Sequence, residues 1–271
     1  MKKSLLERIT HCNQLGCKEH QDLFWLLSSE SLSQKLMSSY HFDISIPSFG
    51  DLVKSLNSLS KPRFFDHKLR LGKYAEKLIE YYLLNLSSYK VIEAQLQLFE
   101  KNITKGEIDF IIEKDKEYVH LEFAIKYYVE LIPGKEDFWG PNFKDSWAKK
   151  KEKLINQQMN LCSLYNHLLP DRIRSLKLKK QVLVTGCLFY QDSTAENWYM
   201  YKNNRENLKN YGSFFSIIHK KQNWIYPFAN NRSIEFQELL SQLKLLEDNY
   251  LMIACYDQKK IPISWGFYLN K

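Results

Sequence analysis

Between Thr104 and Lys126 the chain reads TKGEIDFIIEKDKEYVHLEFAIK, with acidic side chains at spacings that two neighbouring β-strands can bring together. Gly106 to Ile112 is β-branched and aromatic, Lys114-Asp115-Lys116 is a polar reversal, and Tyr118 to Val129 alternates apolar with polar. Val119, Leu121, Phe123, Ile125, Tyr127 and Val129 fall on one face; His120, Glu122, Ala124, Lys126 and Tyr128 fall on the other. On the preceding strand Ile108, Phe110 and Ile112 alternate with Glu107, Asp109 and Ile111. With both apolar faces turned inward, Asp109 lies on the same side as Glu122. Two carboxylates from adjoining strands make an all-oxygen site suited to Mg2+ or Mn2+. Lys126 beyond them can orient a water or offset charge on a phosphate. A solvated face of an antiparallel sheet shows the same alternation, so the chemical reading needs support from the elements around it.

The first of these is a helix expected over residues 69–86, where Leu71, Tyr74, Ala75, Leu78, Ile79, Tyr82, Leu83 and Leu86 recur at intervals of three and four. Glu76 lies on the flank of that stripe and Glu80 nearly opposite it. Gly72, one turn earlier, leaves the edge open. A glutamate on the rim of a buried face can reach over a sheet edge; Lys73 and Lys77 equally offer it local ion pairs. A strand from Lys90 to Phe99 completes a three-strand meander. The loop LIPGKEDFWGPNFKDS leaves the end of the Glu122 strand, and a helix is expected over 144–169. Its stripe of Trp147, Leu154, Ile155, Leu161, Cys162, Tyr165 and Leu169 encloses Lys151 and Gln158, polar groups that need partners there. Lys144 and Lys151 are candidate phosphate contacts; Lys149, Lys150, Lys151 and Lys153 form a basic cluster, and those of it off the stripe are most simply a solvated face that could also touch a phosphate backbone. Gln181 to Tyr190 is a continuous apolar run, as in a central strand covered on both sides.

The Gly-Glu-Ile-Asp at 106–109 and the Glu122 strand resemble the core of the PD-(D/E)XK nuclease superfamily, the restriction-endonuclease-like fold. Arg70-Leu71-Gly72 through Glu76, His120 to Lys126 and Trp139-Gly140-Pro141-Asn142 resemble, more closely, a bacterial family of uncharacterised proteins, a domain of unknown function assigned to that superfamily. The resemblance covers about residues 65 to 190, with a weaker echo at Trp265-Gly266-Phe267. It implies an α/β fold: a restriction-endonuclease-like core, with a mixed central sheet flanked by helices, at 65–190. A helical N-terminal extension (1–64) and an α+β C-terminal extension (191–271) complete the chain. It implies metal ligation by Asp109, Glu122, the Phe123 carbonyl and Glu76, catalysis by those carboxylates with Lys126, and a site-facing Gln158. One departure stands out. The superfamily places its lysine two residues after the glutamate, whereas this chain has Ala124 there and the lysine at 126. That is a shift of roughly 6–7 Å, about the length of a lysine side chain leaning back over Ala124.

Composition sets the outer bounds. A net charge of +8, from 39 Lys+Arg against 31 Asp+Glu, suits a polyanionic partner such as nucleic acid; the resemblance implies DNA. Five cysteines without a Cys-x-x-Cys point to thiols in a reducing cytosol, hence a cytoplasmic location. The N-terminal charges exclude a signal peptide, and no apolar run suits a membrane helix. His11, Cys12, Cys17 and His20 match no common zinc spacing and read as core thiols and surface histidines. Past residue 190 strands are expected at Trp198–Tyr201, Phe214–His219, Trp224–Phe228, Leu251–Tyr256 and Ile263–Leu269. A helix is expected from Ser233, as a cap, to Glu247, with Leu239, Leu240, Leu243 and Leu246 inward. Trp198, Tyr201, Phe214, Phe215, Trp224 and Tyr226 read first as core and second as base-stacking surfaces.

The expected function is therefore metal-dependent hydrolysis of phosphodiester bonds in nucleic acid. A catalytically inactive module of the same fold, binding nucleic acid or a protein, and an enzyme on another substrate are the competing readings.

Overall fold

The computed structural model describes residues 4–63, 69–191, 196–229, 232–245 and 249–270. The boundary expected at 64/65, and Leu246 and Glu247 at the end of the expected C-terminal helix, lie outside the described residues. In chain order the helices are α1 (Leu5–Cys12), α2 (Lys18–Ser28), α3 (Leu32–Leu36), α4 (Phe49–Ser58), α5 (Leu71–Asn85), α6 (Trp147–Asn156), α7 (Leu161–Leu164), α8 (Asp171–Arg174) and α9 (Phe236–Leu245). The strands are β1 (Lys90–Glu100), β2 (Ile103–Lys114), β3 (Glu117–Glu130), β4 (Phe138–Trp139), β5 (Leu178–Gln191), β6 (Asn197–Tyr201), β7 (Phe214–Ile218), β8 (Ile234–Glu235), β9 (Tyr250–Tyr256) and β10 (Pro262–Leu269).

These strands form one mixed sheet in the order β1-β2-β3-β5-β6-β10-β9-β7-β8, with β4 paired to the end of β3. β1, β2 and β3 are the antiparallel meander, turning at Lys101-Asn102 and Asp115-Lys116, each in the left-handed region that tight two-residue hairpins demand. β5 runs parallel to β3 from Tyr118↔Leu178 to Val129↔Phe189. Its apolar run is explained by burial on both faces: Val182, Val184 and Leu188 join one cluster, Leu183, Cys187 and Phe189 the other. The sheet does not stop at residue 190. Tyr190 and Gln191 pair with Trp198 and Tyr199 on β6, and β10 lies parallel to β6.

Helices cover both faces. Under α5 lie Leu121, Phe123 and Ile125, in a cluster that also takes apolar residues of α1, α2 and α4. Against the opposite face of β3, where Glu122 sits, α6 and α3 bring Trp147, Leu154, Leu32 and Leu36 onto Ala124 and Tyr128. The stripe expected of α5 is the stripe it buries: Tyr74, Ala75, Leu78, Ile79, Tyr82 and Leu83.

Three expectations need correction. The helix expected over 144–169 is broken: α6 ends at Asn156, Gln158–Asn160 forms a 3-10 turn, and α7 is a short piece. The break has a local cause, since Gln157 leaves helical geometry and the Asn160 amide donates to the Ile155 carbonyl at 2.8 Å. Trp224–Phe228 is not a strand. It follows a 3-10 turn at Lys221–Trp224 and contains Pro227, and Trp224, Ile225, Tyr226 and Phe228 are all buried instead of alternating. The C-terminal helix begins at Phe236, so Ser233 does not cap it. In the N-terminal region Ser48 caps α4, and its Oγ accepts from the Asp51 N–H at 3.3 Å. Trp198, Phe215 and Tyr226 are sealed core rather than base-stacking surface. Among the described residues, no helix is long and apolar enough to cross a membrane.

Candidate active site

The site begins with an irregularity in β2. Ile108 and Ile111 pack together with Leu161 and Cys162, while Phe110 and Ile112 pack beneath α5. Two residues three apart on one face cannot belong to a strictly alternating strand. The alternation breaks at Asp109–Phe110, and Gln95, across from it on β1, has a left-handed φ of 54°. Pairing of β2 with β3 also stops there, with Phe110↔Leu121 the last pair. One step further, Asp109 Oδ2 accepts the Phe123 N–H at 2.8 Å. The aspartate thus fills the gap where the two strands part and replaces a ladder bond with its own carboxylate. Gly106 lets this happen beneath α7, because a Cβ on it would lie 2.7 Å from the Leu161 side chain.

From the gap, Asp109 meets acids on two sides. On the α5 side, single oxygens of Glu76, Glu107 and Asp109 lie within 4.8 Å of one another, the one such group of three potential ligands among the described residues. Glu76 is 9 % exposed. Lys73 Nζ lies between the two glutamates, 2.7 Å from Glu76 Oε1 and 2.9 Å from Glu107 Oε1. Burial raises the Glu76 carboxyl and Lys73 opposes it. At Glu107 burial acts in the same direction, but hydrogen bonds from Lys73 and Gln97 outweigh it and hold the group below the usual range. On the other side lies Glu122. Burial first, then the Glu122 charge, push Asp109 up to about 8; the Phe123 N–H and Lys150 oppose them, and Glu76 adds to the rise.

Glu122 is fully buried and held at both oxygens. His120 Nε2 donates to Oε1 at 2.8 Å, and Gln158 Nε2 donates to Oε2 at 2.7 Å. That bond assigns a His120 proton to Nε2, and Nδ1 is buried and without a partner. Gln158 Oε1 in turn accepts from Lys150 Nζ at 2.9 Å. The break at the end of α6 is what turns Gln158 inward. Burial and the neighbouring Lys126 lower the Lys150 ammonium, while Glu122 and Asp109 pull it the other way.

Lys126 points elsewhere. Its Nζ pairs with Asp145 Oδ2, which also accepts the Tyr128 hydroxyl at 3.2 Å. It lines an open cleft of about 640 Å3 with Arg70 and Lys221. Lys151 is half-buried on α6, one residue past the lysine that reaches Gln158. Lys144 is exposed, and its backbone N–H donates to Asn142 Oδ1 at 3.0 Å. The histidines and cysteines near the N-terminus do not converge: His11 Nδ1 donates to the Glu7 carbonyl at 2.8 Å, and His20 lies 3.4 Å from the Tyr81 hydroxyl.

Sequence reasoning passed over Glu107, Lys150 and His120. Glu107 had a signal, since it lies two residues before Asp109 and shares its side of β2. Lys150 had one too: Trp147, Lys150 and Leu154 sit at intervals of three and four, as do Trp147, Lys151 and Leu154, and periodicity alone does not choose between them.

No curated protein and no solved structure matches the chain. The sequence profile of one family, described as Domain of unknown function (DUF1853), matches residues 21–248, a span that holds every side chain of the acidic cluster, and the chain belongs to that family.

Proposed function

We propose that the protein is a divalent-metal-dependent nuclease with a restriction-endonuclease-like, PD-(D/E)XK-type core, hydrolysing phosphodiester bonds of DNA. The observation that carries this reading is the convergence of the carboxylates of Glu76, Glu107 and Asp109 from α5 and β2, with burial first and the Glu122 charge from β3 second pushing Asp109 up to about 8. Buried acids gathered so that two of them, Glu76 and Asp109, are held above the usual carboxylate range mark a candidate functional site. The donor set is all oxygen, which fits Mg2+ or Mn2+. Asp109 and Glu76 would hold the ion, with Glu107, Glu122 and the Phe123 carbonyl beside them. A divalent ion bound there supplies an acidified water and offsets charge on the phosphate.

The chain's own groups do the rest. His120 and Gln158 fix both Glu122 oxygens, so that group is held in one orientation behind Asp109. Lys150 is the cation whose titration answers to both Asp109 and Glu122, and it takes the charge-offsetting role expected of Lys126. Replacing it is expected to slow single-turnover cleavage about 10^2-fold for Lys150→Met, in line with loss of one preorganised charge. Lys126→Met is expected to cost less than about ten-fold, because that ammonium is committed to Asp145. Equal losses would return the role to Lys126. With the divalent ion held well below saturation, the cleavage rate is also expected to climb with pH and level off above about 8, as metal-free Asp109 gives up its proton. A rate already flat from pH 6 would contradict that assignment.

The test of the reading is cleavage of a panel of single- and double-stranded DNA and RNA with Mn2+ or Mg2+, against EDTA and Glu76→Gln controls. Metal-dependent cleavage of DNA lost in the variant supports it. The alternative, a nuclease-fold module that binds without cutting, draws on Lys73 lying between Glu76 and Glu107. Salt-sensitive binding with no cleavage of any substrate would favour it.

A further inference from the structure

The edge of β3 that faces β2 is open over part of its length. β2 leaves it at Phe110↔Leu121, and β4 joins it at Val129↔Trp139. Between them the Asp109 carboxylate takes the Phe123 N–H, and Ile125 to Tyr128 line the open cleft of about 640 Å3. Ile125 follows Phe123 by one strand repeat, about 7 Å, so the acidic cluster stands at the head of this cleft. The second wall is the start of α5, and Glu76 lies about 9 Å along that helix from Arg70. The third is the 3-10 turn at Lys221–Trp224, tied to the second where Gln222 Nε2 donates to the Leu69 carbonyl at 2.5 Å.

Donors and cations dominate the polar lining. Alternation turns the Ile125 and Tyr127 N–H groups to the same side as that of Phe123, where no strand pairs with them. Arg70, the N-cap residue of α5, makes no side-chain cap, and the Leu71, Gly72 and Lys73 N–H groups have no carbonyl within the helix. Open space lies over Gly72, where a Cβ would meet nothing within 4 Å. Trp224, on the third wall, has its Nε1 buried and without a partner. Arg70 and Lys221 are exposed, and among the described residues neither pairs with a carboxylate. Asp145 is the one carboxylate on the described lining, and Lys126 neutralises it. Two unpaired cations with a row of donors select a polyanion. Tyr250, half-buried on the lining, offers a ring to a base. The volume is that of a drug-sized ligand, about one or two nucleotides. A duplex, whose major groove alone is about 12 Å wide, does not enter.

We propose that this cleft holds a single strand of the nucleic acid beside the scissile bond, its backbone phosphates on the first turn of α5, Arg70 and Lys221. The proposal rests on the nuclease reading for the identity of the polyanion, and it narrows the substrate to one with a single-stranded end or segment.

Binding by the full-length protein in EDTA tests it, with a fluorescein-labelled oligothymidylate of about twelve residues and the same strand paired with oligodeoxyadenylate. The single strand is expected to bind at least about ten-fold more tightly than the duplex. Arg70→Gln and Lys221→Gln should each weaken it about three- to ten-fold and flatten the dependence of log K on log salt by about 0.7. Both side chains are exposed, so these variants should melt with wild type. Lys259→Gln removes an exposed lysine beyond the far end of β9 from Tyr250, and should bind as wild type. The proposal is overturned if the duplex binds as tightly, if the Arg70 and Lys221 variants keep wild-type affinity, or if Lys259→Gln weakens binding as much as they do. Polyglutamate displacing the strand at equal charge would overturn it in favour of an acidic protein partner. Metal is absent throughout, so the outcome does not depend on cleavage. Strand binding as expected, with no cut by the metal-loaded protein, sinks the nuclease reading and leaves the cleft standing; metal-dependent cleavage undiminished by the two substitutions does the reverse.

Discussion

Asp109→Asn is expected to abolish metal-dependent cleavage and, in metal-free buffer, to make the protein more stable. Both effects have one cause. The Asp109 carboxyl is 9 % exposed and faces the charges of Glu122 and Glu76, so burial and repulsion push it up to about 8. The folded chain therefore holds this proton more tightly than the unfolded chain, whose aspartate titrates near 3.9. Raising the pH from about 4 to about 8 removes stability, and above about 8 the full cost is present. Asparagine keeps an oxygen to accept the Phe123 N–H and carries no charge. The gain is what remains after a charge-assisted hydrogen bond is traded for a neutral one, about 2 kcal/mol at pH 8.5. For a chain of this size that is a rise of about 4–8 °C in melting temperature, shrinking toward zero near pH 4. Melting curves with EDTA at pH 8.5 and at pH 4.5 check the sign. A variant less stable than wild type at pH 8.5 would mean that Asp109 is there to hold the strands together.

The second large effect is structural. Gly186 lies on β5 opposite Lys126, with φ at +119°. Side chains rarely adopt that conformation. Space closes the position as well: a Cβ there would lie 1.8 Å from the Lys126 carbonyl oxygen and 2.7 Å from its carbon, both backbone atoms that no rotamer change can move. Gly186→Ala must then part β3 from β5 at the centre of the sheet. A cost above about 4 kcal/mol is expected, which belongs to the tail of single substitutions. The melting temperature should fall by about 10 °C or more, with a loss of soluble yield. A fall of under about 2 °C would show that the backbone around Gly186 relaxes freely.

What was legible in the sequence follows from which forces act locally. β3 could be read because one face is packed under α5, and that burial writes an apolar residue at every second position from Val119 to Val129. α5 could be read for the same reason at its own period, including the rim position of Glu76. β2 misleads, because Ile-Asp-Phe-Ile-Ile looks like plain alternation. The twist at Asp109–Phe110 is imposed by the splay of β2 from β3, which no local pattern records. The break after α6 was illegible because apolar spacing continues across Gln157 while the helix does not. Asp145 capturing Lys126 and Lys150 reaching Gln158 are choices among several lysines in range, made by the loop and the helix break. The sheet running on from β5 through β6 to β10 joins segments separated by most of the C-terminal third, beyond the reach of any sequence window.

The central claim is that these carboxylates form a divalent-cation site, and calorimetric titration of Mn2+ at pH 8.5 tests it most directly. Wild type is expected to bind Mn2+ saturably and to release protons as Asp109 deprotonates, the release growing as the pH is lowered toward 7; Asp109→Asn is expected to bind at least about 100-fold more weakly. Equal Mn2+ affinity in the two proteins, or no saturable binding to wild type, would contradict the account.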